Sequence, residues 1–340
     1  MTVRRIGRRA ALALALGGSV AGAFPRPAQA QAPRSRGPRI YMVTFRGWTD
    51  SDQGFKDYFD RRRLAVDIIH RDAGGANAKV AEIVREIKAE KPDLVYAWGT
   101  GVALGVIGPV AKPDPERFVT DIPVVFLNVT DPLGSGIING LGPTGRNVAG
   151  STFLAPIHSQ LQALHSYRPI KRLGSIFNPS EANSVAVIND VREQAKALQI
   201  TLIERPVPLL GTEPHRNAVP RLLDELVAEG AEFLFMPSDS FLSRRVEQVT
   251  EEALQRRLPA FASAEGTLGA GQALMGLIAK YHSVGQLAGL QADQILFQGV
   301  DPGSLPIGSL RRFSLVLRMS VAKRLDLFPP MLLLRVAEII

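Results

Sequence analysis

IPVVFLNVTDPLGSG, residues 122–136, carries the reading of the fold. Val124, Val125, Phe126 and Leu127 follow Pro123 without a polar break. A strand buried on both faces of a parallel sheet reads this way. Within two residues the run gives way to Asn128, Thr130, Asp131 and Pro132, and then to glycines. In an open parallel sheet, ligands bind beyond the carboxyl ends of the strands. Such an abrupt polar stop is therefore either a plain turn or the edge of a site.

The same strand-then-helix rhythm fills the chain on both sides. Strands are predicted at 39–45, 64–70, 92–98 and 123–129, with helices at 52–62, 77–90 and 101–108 between them. In the helix at 77–90, Val80, Ile83, Val84 and Ile87 fall on one face. A second run follows, with strands at 172–178, 200–207, 231–237 and 259–263 and helices at 180–198, 218–230 and 244–257. The runs can be laid on each other. RIYMVTFRG at 39 matches RLGSIFNPS at 172, and DIPVVFLNV at 121 matches RLPAFASAE at 257. This rhythm predicts an α/β fold of two doubly wound parallel-sheet lobes.

A further strand and helix at 273–279 and 283–299, and another pair at 313–319 and 320–328, lie beyond the second run. With the second lobe counted complete, the returning unit is assigned to the first. The expected lobes are 38–149 plus 266–304, and 150–265 plus 305–340. They would be joined by a three-crossing hinge near 147–152, 263–266 and 304–309.

The N-terminus reads as an export signal. Arg4, Arg5, Arg8 and Arg9 precede an apolar run, and Ala28-Gln29-Ala30 offers small residues for cleavage after about Ala30. Either general secretion or the twin-arginine route fits. Residues 1–30 hold five of the 40 basic residues and none of the 32 acids, so the formal +8 falls to +3 beyond them. The basic excess is mostly a targeting device, and nucleic acid is not an expected partner. Cysteine is absent, which removes the acceptor for a lipid anchor. A soluble periplasmic protein is expected.

Strand-end residues are the candidates for chemistry. They are Thr44, Phe45, Arg46 and Trp48; Gly99, Thr100 and Gly101; and Asn128, Thr130 and Asp131. In the second lobe they are Asn178, Ser180, Glu181, Asn183 and Ser184, then Ser238, Asp239 and Ser240, with Lys280, Tyr281 and His282 after the returned strand. Several are equally good helix caps, and a capped helix end still presents partial positive charge to a cleft. Phe45 and Trp48 would stack on a ring or pack the core or hinge. The five histidines have no metal-ligand spacing, and no nucleophile elbow, Walker loop or HExxH occurs. Gly99, Gly101 and Gly105 form a loose dinucleotide fingerprint on the third strand, with its last glycine one residue late. It supports an alternative reading as an exported oxidoreductase with a bound dinucleotide.

KPDLVYAWGT, IPVVFLNVTDPLGSG, GRNVAGST, RLGSIFNPSEANS, MPSDS and the tail LRMSVAKRLDLFPPMLLLRV, in this order, resemble the exported substrate-binding component of ABC-type uptake systems. The resemblance covers about 38–338 and is to the group whose better-known members bind aromatic amino acids. It implies a type I periplasmic-binding fold with a small solute clamped between the lobes, no catalytic step, no cofactor or metal, and an inner-membrane permease as partner. A monomer is expected. A sensor module serving a receptor kinase would look similar. By position, Thr100, Thr130 and Asp131 would line the first wall, and Asn183, Ser184 and Asp239 the second; Phe45, Lys280 and Tyr281 complete the expected ligand set. Lys280 stands where the family commonly has an acid, and Ser240 where it has Asn. An acid there suits a ligand ammonium, which Lys280 would repel. A carboxylate-bearing or otherwise anionic solute is therefore expected.

Overall fold

The computed structural model describes residues 37–211 and 213–340. The export signal expected at 1–30 lies outside the described residues. The chain begins with β1 (Arg39–Thr44), α1 (Asp50–Arg62), β2 (Asp67–Asp72), α2 (Asn77–Glu90), β3 (Leu94–Trp98), α3 (Thr100–Ile107), β4 (Val124–Val129) and β5 (Val148–Thr152). It continues with α4 (Ile157–Tyr167), β6 (Arg172–Phe177), α5 (Ala182–Ala197), β7 (Thr201–Pro206) and a small hairpin of β8 (Leu209–Leu210) and β9 (Glu213–Pro214). Next come α6 (Val219–Ala228), β10 (Phe233–Met236), α7 (Ser240–Ser243), α8 (Val246–Gln255), β11 (Ala260–Ala262), α9 (Glu265–Leu268) and β12 (Met275–Ile278). The last elements are α10 (Tyr281–Leu296), β13 (Gly308–Ser309), β14 (Ser314–Leu317), α11 (Met319–Leu325), α12 (Met331–Leu334) and β15 (Glu338–Ile339).

Two sheets carry these elements. One has the order β13-β5-β4-β3-β1-β2 and is parallel throughout. The other has the order β15-β14-β12-β11-β10-β6-β7, with only the β12–β14 pair antiparallel. Read from the second strand, both contain the same five-strand order, β2-β1-β3-β4-β5 and β7-β6-β10-β11-β12. The expected fold of two doubly wound lobes is what the chain adopts.

Both faces of each sheet are covered, and this explains the unbroken apolar strands. In β3, Val95 and Ala97 join a core under α2 and α3, while Leu94, Tyr96 and Trp98 join one under α1 and α10. Successive side chains point to opposite faces, so a strand with two dry faces has no place for a polar residue. The one buried carboxylate in α1, Asp52, accepts from the Tyr96 hydroxyl at 2.6 Å and from Thr49 N–H and O–H. Burial nevertheless raises its pKa.

The lobe boundaries differ from the expected ones. β12 pairs with β11 and β14, so it belongs to the second sheet; only α10 returns to the first lobe. The crossings fall at 152–157, 278–281 and 309–314, where the second was expected near 263–266. The first lobe has a fifth strand, β5, where the sequence reading saw only a crossing. By the repeat, the second lobe needs its own fifth strand, and β12 is that strand. In both lobes the chain leaves after strand five, so the lobes exchange the helices that follow.

The returned helix fits because of glycine. A Cβ on Gly285 of α10 would overlap the Ser51 carbonyl oxygen, and one on Gly54 of α1 the His282 carbonyl oxygen. The backbones cross in direct contact. Gly285→Ala is expected to lower stability by about 1–3 kcal/mol through overpacking. The readout is the urea midpoint at unchanged m-value, and an unmoved midpoint would show that the helices separate freely.

Candidate functional site

The carboxyl ends of the two sheets meet at one cavity of about 170 Å³. From the first lobe, the end of β1 supplies Phe45 and Arg46, the end of β3 supplies Trp98, and the start of α3 supplies Thr100. β4 supplies Asn128 and Thr130. Asn128 sits in the left-handed region at φ 52, where the β4–β5 register shifts. Asparagine tolerates that conformation better than most residues, and its amide donates to Ser51 Oγ at 2.8 Å. The second lobe supplies Glu181 and Asn183 at the start of α5, and Ser238, Asp239 and Ser240 after β10. Phe153 and Tyr281, on the crossing segments, close the side. Thr130 Oγ1 donates to Ser238 Oγ at 3.3 Å, a direct hydrogen bond between lobes.

Charge is divided between the walls. Arg46 lies over the Trp98 ring at 5.1 Å and reaches the second lobe, where one guanidinium nitrogen is 2.8 Å from the position a Cβ on Gly266 would take. Burial raises the Tyr281 phenol above its usual pKa, and the Arg46 charge opposes that rise. On the facing wall, the Glu181 carboxylate accepts from Ser240 N–H at 2.9 Å and from the amides of Asn178 and Asn183. Behind it, Asp239 accepts from Asn178 N–H at 2.7 Å, Ser184 Oγ at 2.6 Å and Leu242 N–H at 2.9 Å. Burial, and then the Glu181 charge, push Asp239 up to about 6.

Among the described residues, three polar atoms on the first wall have no hydrogen-bond partner: Trp98 Nε1, Thr100 Oγ1 and Asn128 Oδ1. All three residues are more than nine-tenths buried and line the cavity. Buried polar groups are normally paired, so two donors and one acceptor at one end of a cavity suit a polar ligand group.

Of the nine residues expected from the sequence, Phe45, Thr100, Thr130, Asn183, Asp239 and Tyr281 line the cavity. Three do not. The Asp131 carboxylate folds back to accept from Gly134 N–H at 2.8 Å, closing its own turn. Ser184 is wholly buried and supports Asp239 from behind. Lys280 points out of the cleft and pairs with Glu338 of β15 at 2.8 Å. The cation that lines the cavity is Arg46. Lys280→Gln is therefore expected to leave solute affinity within about twofold, since exposed ion pairs are worth little; a large loss in a titration would place Lys280 back in the site. Trp48 is 45% exposed and packs edge-on against His70, so it belongs to neither core nor cavity.

Arg46, Asn128, Glu181, Ser238 and Ser240 stood among the strand-end residues, but nothing in the sequence ranked them. Asn77, Trp98, Phe153 and Ser243 were missed. Trp98 was legible as the last strand residue, and its turn toward the cavity follows from the alternation in β3. The loose glycine fingerprint has a packing explanation. A Cβ on Gly101 would stand 2.5 Å from Asn77 Oδ1, and one on Gly105 2.6 Å from Val80 Cγ1, so these glycines let α3 lie close on α2.

Comparisons with known proteins agree with this architecture. The family profile described as ABC transporter substrate binding protein matches residues 52–339. A tyrosine-binding protein of Clostridioides difficile is 25% identical over 273 residues, covering 80% of this chain and 73% of that one. A conserved domain protein of Vibrio cholerae superposes with a TM-score of 0.78 at 23% identity, covering 89% of this chain and 99% of the other. The ABC domain of Streptococcus pneumoniae in complex with L-Trp gives 0.77 at 21% identity, with the same coverage. The trehalose repressor of Escherichia coli gives 0.57 at 12% identity, covering 82% and 99%. The structural likenesses are to a two-lobed, periplasmic-binding-protein-like fold.

Proposed function

The chain belongs to the ABC transporter substrate-binding protein family, a non-enzymatic family of extracytoplasmic solute-binding components, and we propose that its cavity closes on a zwitterionic amino acid with an aromatic or similarly flat apolar side chain. The observation that carries this reading is Arg46 on one lobe and Glu181 on the other, lining one aromatic-walled cavity. A carboxylate set against Arg46, Trp98 Nε1 and Thr100 Oγ1 satisfies the unpaired donors of the first wall. An ammonium set toward Glu181 meets an acid already oriented by three donors. Phe45, Phe153 and Tyr281 then receive the side chain. The carboxylate expected from the sequence is retained, but Arg46 takes the role given to Lys280. With Lys280 paired outside the cleft, the objection to a ligand ammonium falls away. The tyrosine-binding relative supports the same class of solute.

Such a ligand works by bridging. Its carboxylate is held by one lobe and its ammonium by the other, so the full set of contacts exists only when the lobes are together. Differential affinity for that state is what shifts the population toward closure. The closed form is then the species that docks on an inner-membrane permease, with the chain acting as a monomer in the periplasm after removal of its basic-apolar leader.

Calorimetry with L-tyrosine, L-tryptophan and L-phenylalanine, and with their N-acetyl and carboxamide derivatives, tests this. A free amino acid should bind, and masking either end should weaken it at least about tenfold, the loss of one charge-assisted contact. Equal affinity for the masked compounds, or binding of neutral sugars instead, would sink it.

A further inference from the structure

A second groove runs beside the cleft and is also built from both lobes. Its first-lobe wall is the Gly74-Gly75-Ala76 turn that opens α2; its second-lobe wall carries Arg216, Arg244 and Arg245. Arg244 lies against the turn, with one guanidinium nitrogen 2.8 Å from the position a Cβ on Gly75 would take. Gly75 has φ +82, so a side chain there is disfavoured twice over. Arg245 is half-buried and covers the Phe241 ring at 4.5 Å. Among the described residues, none of the three arginines forms an ion pair with a carboxylate. Glu213 and His215 are the other titratable groups on the walls. On the turn itself, the Gly74 N–H is taken by the Asp72 carboxylate at 3.0 Å, and the Gly75 and Ala76 N–H groups by the Phe45 and Ala73 carbonyls.

Three guanidinium groups on one wall repel one another, most strongly at half-buried Arg245, while Arg216 and Arg244 are exposed. Burial, and then the charges of Arg216 and Arg244, hold the Arg245 pKa below its ordinary value. A bound anion would offset that repulsion. Planar guanidinium forks match the oxygens of phosphate and carboxylate groups.

We propose that this groove, formed by Arg216, Arg244 and Arg245 facing the Gly74–Ala76 turn, binds a small multivalent oxyanion that ties the two lobes together. Since Arg244 and the turn belong to different lobes, the anion binds the closed form in preference to the open one. By linkage, it tightens the cleft for its solute by the factor by which the solute tightens the groove for the anion. The groove would make solute capture sensitive to the anions around the protein, with no contact between the two ligands.

Sodium pyrophosphate is the probe. Titrated alone into the full chain at roughly 0.15 M salt, it should give saturable heat. The Arg216→Ala/Arg244→Ala double variant should bind it at least about tenfold more weakly, since two charge-assisted contacts are lost. Arg46→Ala should bind it within about twofold of the parent, which separates the groove from the cleft and makes the result independent of the solute's identity. No heat beyond that of sodium chloride at equal ionic strength, equal binding by the double variant, or loss of binding in Arg46→Ala would each overturn the proposal.

Discussion

Arg46→Ala is expected to weaken solute binding by on the order of 100-fold or more while leaving the fold intact. Arg46 is the one cationic side chain lining the cavity among the described residues. Truncating one partner of a buried, hydrogen-bonded charge pair costs about 2–5 kcal/mol, and about 1.4 kcal/mol is a factor of ten. The loss should be compounded by Trp98, whose ring face is covered by the guanidinium at 5.1 Å and whose Nε1 would remain unpaired. Among the described residues Arg46 holds no carboxylate, so removing it leaves none of their acids uncompensated. The melting temperature without ligand should therefore move little. Arg46→Lys keeps the charge but loses the planar fork, and should fall between parent and alanine variant. A titration showing Arg46→Ala within threefold of the parent would remove Arg46 from the binding machinery.

The second large effect is expected at Asp239. Its carboxylate joins three chain segments: β6 through Asn178, α5 through Ser184 and α7 through Leu242. Asp239→Ala strands three buried donors, each worth about 1–3 kcal/mol when left unpaired. Relief from burying a charge beside Glu181 offsets part of this, and a net loss of about 3 kcal/mol at neutral pH is expected. Asp239→Asn should cost less, since an amide oxygen in the Oδ2 position still accepts from Asn178 and Ser184. Chemical denaturation measures both. A cost below about 1 kcal/mol for alanine would mean that the three donors find water or other partners.

The same residue sets a pH dependence. Asp239 is pushed up to about 6 from an ordinary 3.8. A carboxyl group protonated more readily in the folded chain than in the unfolded one favours folding fully below its unfolded pKa, and loses that contribution as pH rises through the folded value. Asp239 should thus make the unfolding free energy fall between about pH 4 and pH 6 and level off above about 7. Asp239→Asn should remove this slope. A parent and Asn variant with parallel stability–pH curves would show that Asp239 does not titrate in that range.

The alternation of strand and helix was plain in the sequence because both faces of each sheet are dry. IPVVFLNV could be nothing but a doubly buried strand, and RIYMVTF and AEFLFMP follow the same rule. The overlay of the two runs correctly implied two like lobes. It failed for the fifth strands, because VAGST in β5 has small residues and reads as a loop. With β5 unrecognised, β12 had no counterpart and was assigned to the wrong lobe.

At the site, what the chain order determined by itself was position along each strand. Residues just past a parallel strand's carboxyl end face the cleft, and six of the nine residues expected from that rule together with the family resemblance line it. Direction was decided only in three dimensions. Asp131 could point into the cleft or close its own turn, and the N–H of Gly134, three residues on, captured it. Lys280 could face a ligand or solvent, and Glu338, fifty-eight residues away on edge strand β15, two strands from β12, drew it outward. Arg46 gained its place from Trp98 and from the open space beside Gly266, neither of which is near it in the chain. A side chain's position follows from local periodicity, which the sequence carries. Its direction follows from which charge or ring lies within reach after folding, and that is set by contacts between segments the sequence keeps far apart.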